Sequence, residues 1–120
     1  MLAELRGLNE ECGVFGVWNH PSAAQMSYYA LHSLQHRGQE GSGIVVTTGE
    51  SLQTRKGLGL VTEVFTAKCM EKLQGTGAIG HVRYSVGGTN GYENVQPLLF
   101  RSQTVGIAIA HNGNLTNSLE

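Results

Sequence analysis

The sequence predicts an α+β domain in which strands outnumber helices. Strand-length apolar runs rich in β-favouring residues recur between Cys12 and Ala110, only two stretches show helical spacing, and 17 glycines are scattered through the 120 residues as turn positions rather than gathered in a linker. Cys12 to Trp18 mixes small and β-favouring residues and reads as the first strand. Pro21 and Ser22-Ala23-Ala24-Gln25 resemble a capped helix start; Met26, Tyr29, Ala30 and Leu34 then fall at helical spacing, and Gly38 is a stop, giving a helix from about Ser22 to His36. Gly43 to Thr48 and Ser51 to Lys56 read as strands around a Gly49-Glu50 hairpin. A second helix is expected from Glu63 to Leu73, because Phe65, Cys69 and Leu73 share one face at i, i+4, i+8; this assigns Cys69 to the core rather than to chemistry. Ala78 to Tyr84 and Thr104 to Ala110 complete the strands, the latter running into His111-Asn112-Gly113.

Composition narrows the function classes. A hydrophobic content of 40% can supply one modest core, and a net charge of −1 leaves no electrostatic footprint for nucleic acid. No stretch approaches the roughly 18 apolar residues of a membrane span, and the leader Met1 to Glu11 lacks the apolar centre of a secretory signal, so a cytoplasmic location is expected. Two cysteines, Cys12 and Cys69, do not make the dense pattern of a secreted scaffold and are expected to be free thiols. The last residues, Asn114 to Glu120, begin an element without closing it, which reads as a fragment of something longer.

Cys12 is the most informative residue. Cutting the Glu11–Cys12 bond would give one residue both a thiol and a free α-amine, whose pKa of about 7.7–8.0 suits it as a base near neutral pH. An isolated cysteine on an apolar strand is more often a buried, inert one. Three further segments bear on the choice: His36-Arg37-Gly38-Gln39-Glu40-Gly41-Ser42-Gly43, Gly80-His81-Val82-Arg83-Tyr84 and His111-Asn112-Gly113-Asn114. Each alone has a plain structural explanation as a glycine-stopped helix, a strand with an exposed arginine, or an Asn-Gly turn. Their occurrence together, where elements end, favours chemistry.

These residues resemble the glutaminase domains of N-terminal-nucleophile glutamine amidotransferases. Cys12-Gly13-Val14-Phe15-Gly16 is similar to that family's nucleophile strand, Leu34 to Glu40 to the loop behind it, Gly80 to Tyr84 to its glutamine-binding strand, and His111 to Leu115 to its oxyanion segment. The leader ending Asn9-Glu10-Glu11 and the run Tyr92 to Leu98 resemble the amidophosphoribosyltransferase branch most closely. The resemblance implies a four-layer αββα sandwich of the N-terminal nucleophile hydrolase type, incomplete in this chain. Residues 1–11 would be a removable propeptide and 12–120 the first part of a type 2 glutamine amidotransferase domain, with a phosphoribosyltransferase domain lying beyond. Cys12 would be the nucleophile, the Asn112 side chain and Gly113 N–H the oxyanion donors, Arg83 the clamp on the glutamine α-carboxylate, and Arg37 and Gly38 neighbours of the thiol. The implied reaction releases ammonia from glutamine for conversion of phosphoribosyl pyrophosphate to 5-phosphoribosylamine, the first committed step of purine synthesis, in a homo-oligomer at full length.

The family commonly has a threonine shortly after the arginine, whereas this chain reads Ser85-Val86, so Ser85 or a backbone group substitutes there or glutamine binds more weakly. The family's acidic partner for the glutamine α-amine lies past Glu120, so residues 1–120 alone are expected to turn over negligibly. No cofactor is expected within these residues; magnesium and a 4Fe-4S cluster, which needs four thiolates, would belong to the part downstream. Gly75-Thr76-Gly77-Ala78-Ile79-Gly80 has the GxGxxG spacing, but it follows a helix and enters a strand, the reverse of a dinucleotide site. His32 and His36 have i, i+4 spacing without the glutamate or third ligand of a zinc site, and His81 and His111 are expected to be structural neighbours of the catalytic groups. Alternatives from the same residues are the glutaminase of glucosamine-phosphate synthase, or a non-catalytic glutamine-sensing or scaffolding module.

Overall fold

The computed structural model describes residues 12–34, 39–84 and 95–111. Outside them lie the leader 1–11, the helix end at His36 with Arg37 and Gly38, the Ser85-Val86 departure and the first three residues of the Tyr92 to Leu98 run, and Asn112 and Gly113. Six strands and three helices follow in the order β1 (Cys12–Val17), α1 (Ala23–Leu34), β2 (Gln39–Thr47), β3 (Leu52–Leu58), α2 (Val61–Val64), α3 (Ala67–Lys72), β4 (Gly77–Tyr84), β5 (Leu98–Arg101) and β6 (Gly106–Ile109) among the described residues. Four strands form an antiparallel sheet of order β1-β4-β2-β3, and β5 and β6 pair as a second, two-stranded sheet.

Side chains alternate between the two faces of a strand, and glycines mark what each face meets. A Cβ on Gly80 would lie 3.0 Å from Leu31, and one on Gly13 3.0 Å from Leu34, so α1 rests on these positions. Ile44, Val46, Ala78 and Val82 point into the same core as Ala23, Ala24 and Leu31, extended by Val61, Val64, Phe65 and Leu73. On the opposite face, a Cβ on Gly43 would strike the Gln96 carbonyl, and one on Gly106 of the second sheet would sit 2.9 Å from Leu52. Among the described residues, α1, the four-stranded sheet and the β5–β6 hairpin therefore stack as three layers.

The hairpin at Gly49-Glu50 forms as expected, with Gly49 at φ 102° and its N–H donating to Thr47 Oγ1 at 2.9 Å. The face of α1 differs from what its largest apolar residues suggest. Ala23, Ala24, Ser27 and Leu31 are buried, while Tyr29 is 68% exposed and Met26 and Leu34 are also at the surface. Small residues let the helix approach the glycine-floored sheet closely, and Ser27 satisfies its hydroxyl on the Ala23 carbonyl at 2.9 Å.

The expected helix from Glu63 to Leu73 is two short helices. Phe65, at φ −106° and ψ 80°, leaves the first, and Thr66 caps the second by accepting the Cys69 N–H at 3.3 Å. The restart rotates the register, so Phe65 and Leu73 are buried but Cys69 is only half-buried, which corrects its assignment to the core. Strand β5 has no counterpart among the expected strands, and β6 is shorter than Thr104 to Ala110. Ser102 turns the hairpin between them, its N–H donating to the Val105 carbonyl at 2.7 Å and its Oγ accepting from Val105 N at 3.0 Å.

Candidate active site

The pairing of β1 with β4 makes Cys12 the Cα partner of Arg83. Residues directly opposed in an antiparallel pair have Cα atoms roughly 4.5–5.5 Å apart, so the expected nucleophile and carboxylate clamp start from adjoining backbone positions. β2 joins β4 from the other side with Gly41 opposite Arg83 and Gln39 opposite Tyr84. The register shifts between these two pairs, leaving Glu40 as a bulge at the end of the strand that follows Gly38. Three of the four polar segments thus meet at one end of one sheet.

The fourth reaches the same face through His81. His81 lies two residues before Arg83 on β4, fully buried, with Nε2 3.1 Å from the His111 carbonyl oxygen. A carbonyl accepts and cannot donate, so Nε2 carries the proton. Burial is the main cause that pushes the His81 pKa down to about 4, opposed by the bond to His111 and reinforced by the charge of Arg83. The ring is therefore neutral at physiological pH. The His111 N–H donates to Gln96 Oε1 at 2.7 Å, and the chain continues from His111 directly into Asn112 and Gly113. Cys12, Arg83 and the His111 segment come together; Arg37, Gly38, Asn112 and Gly113 belong to residues outside the described part.

Gly41, Gly43, Lys56 and Gln96 were not singled out individually in the sequence. They shape the site by letting residues 95–97 lie across the sheet, with Lys56 Nζ donating to the Val95 carbonyl at 3.0 Å. The available signal was glycine at alternate positions of a strand, which leaves one face bare for another stretch of backbone. The apolar cleft of about 400 Å³ between the sheets, with Val45, Ile79, Leu52 and Ala108 in its walls, offers little polar chemistry. Each glycine of the GxGxxG run has a packing cause: Gly75 lies against the Thr47 backbone, Gly77 would place a Cβ 2.5 Å from the Trp18 ring, and Gly80 supports Leu31. Among the described residues, no group of three or more His, Cys, Asp or Glu side chains could hold a metal ion, and no helix is long and apolar enough to cross a membrane.

No family model matches the sequence. Individual relatives do. The chain is 65% identical to the amidophosphoribosyltransferase of Bacillus subtilis over 121 aligned residues, covering 100% of this chain and 25% of that protein. It is 58% identical to the amidophosphoribosyltransferase of Staphylococcus aureus, covering 93% of this chain and 23% of the relative. It superposes with a TM-score of 0.83 at 63% identity on the solved structure of an allosteric regulatory enzyme of purine biosynthesis, across 88% of this chain and 23% of that one. A glutamine phosphoribosylpyrophosphate amidotransferase from B. subtilis, complexed with ADP and GMP, gives a TM-score of 0.79 at 62% identity, with the same coverage of 88% and 23%. The chain spans about a quarter of the length of these relatives. With residue identity along the whole chain and a shared backbone course, the chain is similar to the N-terminal quarter of amidophosphoribosyltransferases.

Proposed function

We propose that this chain is the nucleophile-bearing part of a glutaminase that supplies ammonia for making 5-phosphoribosylamine from phosphoribosyl pyrophosphate. The observation that carries the reading is the pairing of Cys12 with Arg83 at the sheet end also reached, through His81, by the His111 segment. The names of the relatives favour the phosphoribosyl acceptor over glucosamine-phosphate synthesis or mere sensing.

Removal of residues 1–11 frees the Cys12 α-amine. The thiol attacks the side-chain amide carbon of glutamine while that amine takes the thiol proton and passes it to the leaving nitrogen, forming a γ-glutamyl thioester and ammonia. Water then attacks the thioester, releasing glutamate and restoring the thiol. The Arg83 guanidinium matches the planar α-carboxylate of glutamine with two parallel N–H donors. Arg37 and Gly38 adjoin the thiol, and the Asn112 amide and Gly113 N–H receive the oxyanion, roles that come from the family resemblance. Loss of one such donor costs roughly 2.7–4 kcal/mol of barrier.

The finer fold assignment is a four-layer αββα sandwich. The uncovered side of β5–β6 supports it, since Phe100, Ile107 and Ile109 there are 55%, 51% and 49% exposed, as an inner layer awaiting an outer one would be. Two cysteines cannot ligate a four-iron cluster, and Cys12 is committed to the reaction, so the residues here do not fit that group. A cluster or magnesium would be held by other parts of a protein of the relatives' length, in a soluble, cytoplasmic homo-oligomer.

Intact mass of the protein at the relatives' length, as wild type and Cys12→Ala, tests the reading together with glutamate release. The expected result is loss of residues 1–11 only when Cys12 is present, and hydrolysis abolished in Cys12→Ala. Retention of the leader in both, or hydrolysis that survives the substitution, refutes it.

A further inference from the structure

Residues Val95, Gln96 and Pro97 form a buried strap across the sheet face that carries His81 and Arg83. Its floor is bare because Gly41 and Gly43 have no side chains: a Cβ at 41 would lie 2.9 Å from Val95, and one at 43 would meet the Gln96 carbonyl. Lys56 anchors one end by its bond to the Val95 carbonyl at 3.0 Å. The Gln96 side chain, 6% exposed, then accepts the His111 N–H at 2.7 Å while His81, fully buried, holds the His111 carbonyl at 3.1 Å.

Two buried side chains on separate elements therefore grip both polar groups of one residue's backbone. The His111 backbone is thereby held at both its N–H and its carbonyl. We propose that His81 and Gln96 are positioning residues of the glutaminase: they fix the backbone of His111, the residue immediately before Asn112 and Gly113, to which the family resemblance assigns the oxyanion. The inference rests on the proposed glutaminase reading. Neither residue touches substrate; a shift of about 1 Å in a group that does can cost on the order of 100-fold in rate.

The test uses the enzyme at the length of its relatives, carrying His81→Met, His81→Gln, Gln96→Met or Cys12→Ala. His81→Met and Gln96→Met should lower kcat for glutamine hydrolysis by about 10- to 100-fold with KM changed by less than about threefold, while transfer of free ammonia to phosphoribosyl pyrophosphate is kept. His81→Gln, whose amide can donate in place of Nε2, should recover most of the kcat lost in His81→Met. Unchanged kcat, a rise in KM alone, a parallel loss of ammonia-dependent transfer, or no recovery in His81→Gln overturns the proposal. If Cys12→Ala still hydrolyses glutamine, the glutaminase reading itself has failed; if it does not and the His81 and Gln96 variants are normal, only the positioning role has. Histidine side-chain NMR of the unsubstituted enzyme provides a readout that needs no variant to fold: His81 should be the neutral tautomer protonated at Nε2 at pH 7, and protonation at Nδ1 instead would break the grip and overturn the inference.

Discussion

Gly43→Ala tests the strap directly. Gly43 is flanked in the sheet by Lys56 and His81, and the added Cβ would strike the Gln96 carbonyl oxygen, lie 2.9 Å from Lys56 Cβ and 3.1 Å from the Gln96 carbonyl carbon. Two of these three contacts are with backbone, which cannot rotate away. Restoring ordinary van der Waals separation requires the strap to lift by about 1 Å, a movement that strains the Lys56–Val95 and Gln96–His111 bonds together. Overpacking costs about 1–3 kcal/mol and each of the two weakened hydrogen bonds about 1 kcal/mol, so the expected destabilisation is about 3–5 kcal/mol. Gly41→Ala should cost about 1–2 kcal/mol, because its closest contact at 2.9 Å is the Val95 side-chain Cγ2 and its one backbone contact, the Gly57 carbonyl oxygen, lies farther off at 3.1 Å. Gly16→Ala, with nothing nearer than 3.8 Å, should change stability by less than about 0.5 kcal/mol. Chemical denaturation of the three variants and wild type measures the series. A Gly43→Ala midpoint equal to that of Gly16→Ala would refute the claim that bare strand positions seat the strap.

Stability should fall with acid through His81: the unfolded ring takes a proton near pH 6.5 and the folded one only near pH 4, so this contribution is complete above about 6.5, declines between the two values and is flat below, for a total on the order of 3 kcal/mol. Denaturation midpoints measured from pH 7 to 4 should show a slope that His81→Gln reduces, and an unchanged slope in that variant contradicts the assignment. Cys69 has its pKa lowered chiefly by its hydrogen bond with the Thr66 side chain, so Thr66→Val should raise it, slow alkylation of Cys69 by iodoacetamide at pH 7, and cost about 1 kcal/mol through the lost cap. Equal alkylation rates would remove Thr66 as the cause. Arg83→Lys should raise KM for glutamine about 10- to 100-fold with a smaller effect on kcat, since a point charge replaces a planar fork; an unchanged KM argues against the carboxylate clamp.

What the sequence made readable, and what it hid, follows from the range of each interaction. Strand runs and the Gly49-Glu50 turn are local, and β1, β3 and β4 appear close to their expected places, whereas β2 begins at Gln39, four residues before the expected Gly43, within a stretch whose glycines and polar residues read as a loop. The break at Phe65 was hidden because an i, i+4, i+8 apolar pattern fits one helix or two; Thr66, a good capping residue, was the overlooked signal. The buried face of α1 was hidden for a different reason. Large apolar residues at helical spacing suggested one stripe, but burial was decided by how closely the helix could approach Gly13 and Gly80, a property of residues distant in sequence. Chemistry-bearing residues stood out by type at Cys12, Arg83 and Asn112, whereas Gln96 and Lys56 acquire meaning only once the fold lays residues 95–97 across Gly41 and Gly43.

Strand β4 shows how the domain keeps stability and chemistry apart. Its even positions, Ala78, Gly80 and Val82, face α1 and the core, so their substitution should register first as lost stability. Positions 81 and 83 point to the opposite side, where His81 holds His111 and Arg83 pairs with Cys12. The period of two lets one strand pack a helix on one side and array polar groups on the other without either demand constraining the neighbouring residue. The cost of that arrangement falls on His81, a polar ring that must be buried to reach the His111 carbonyl and is therefore held neutral across the pH range in which a free histidine titrates. A neutral ring keeps its single proton on Nε2, so the hydrogen bond that holds the His111 carbonyl stays the same whether the medium is mildly acidic or mildly basic.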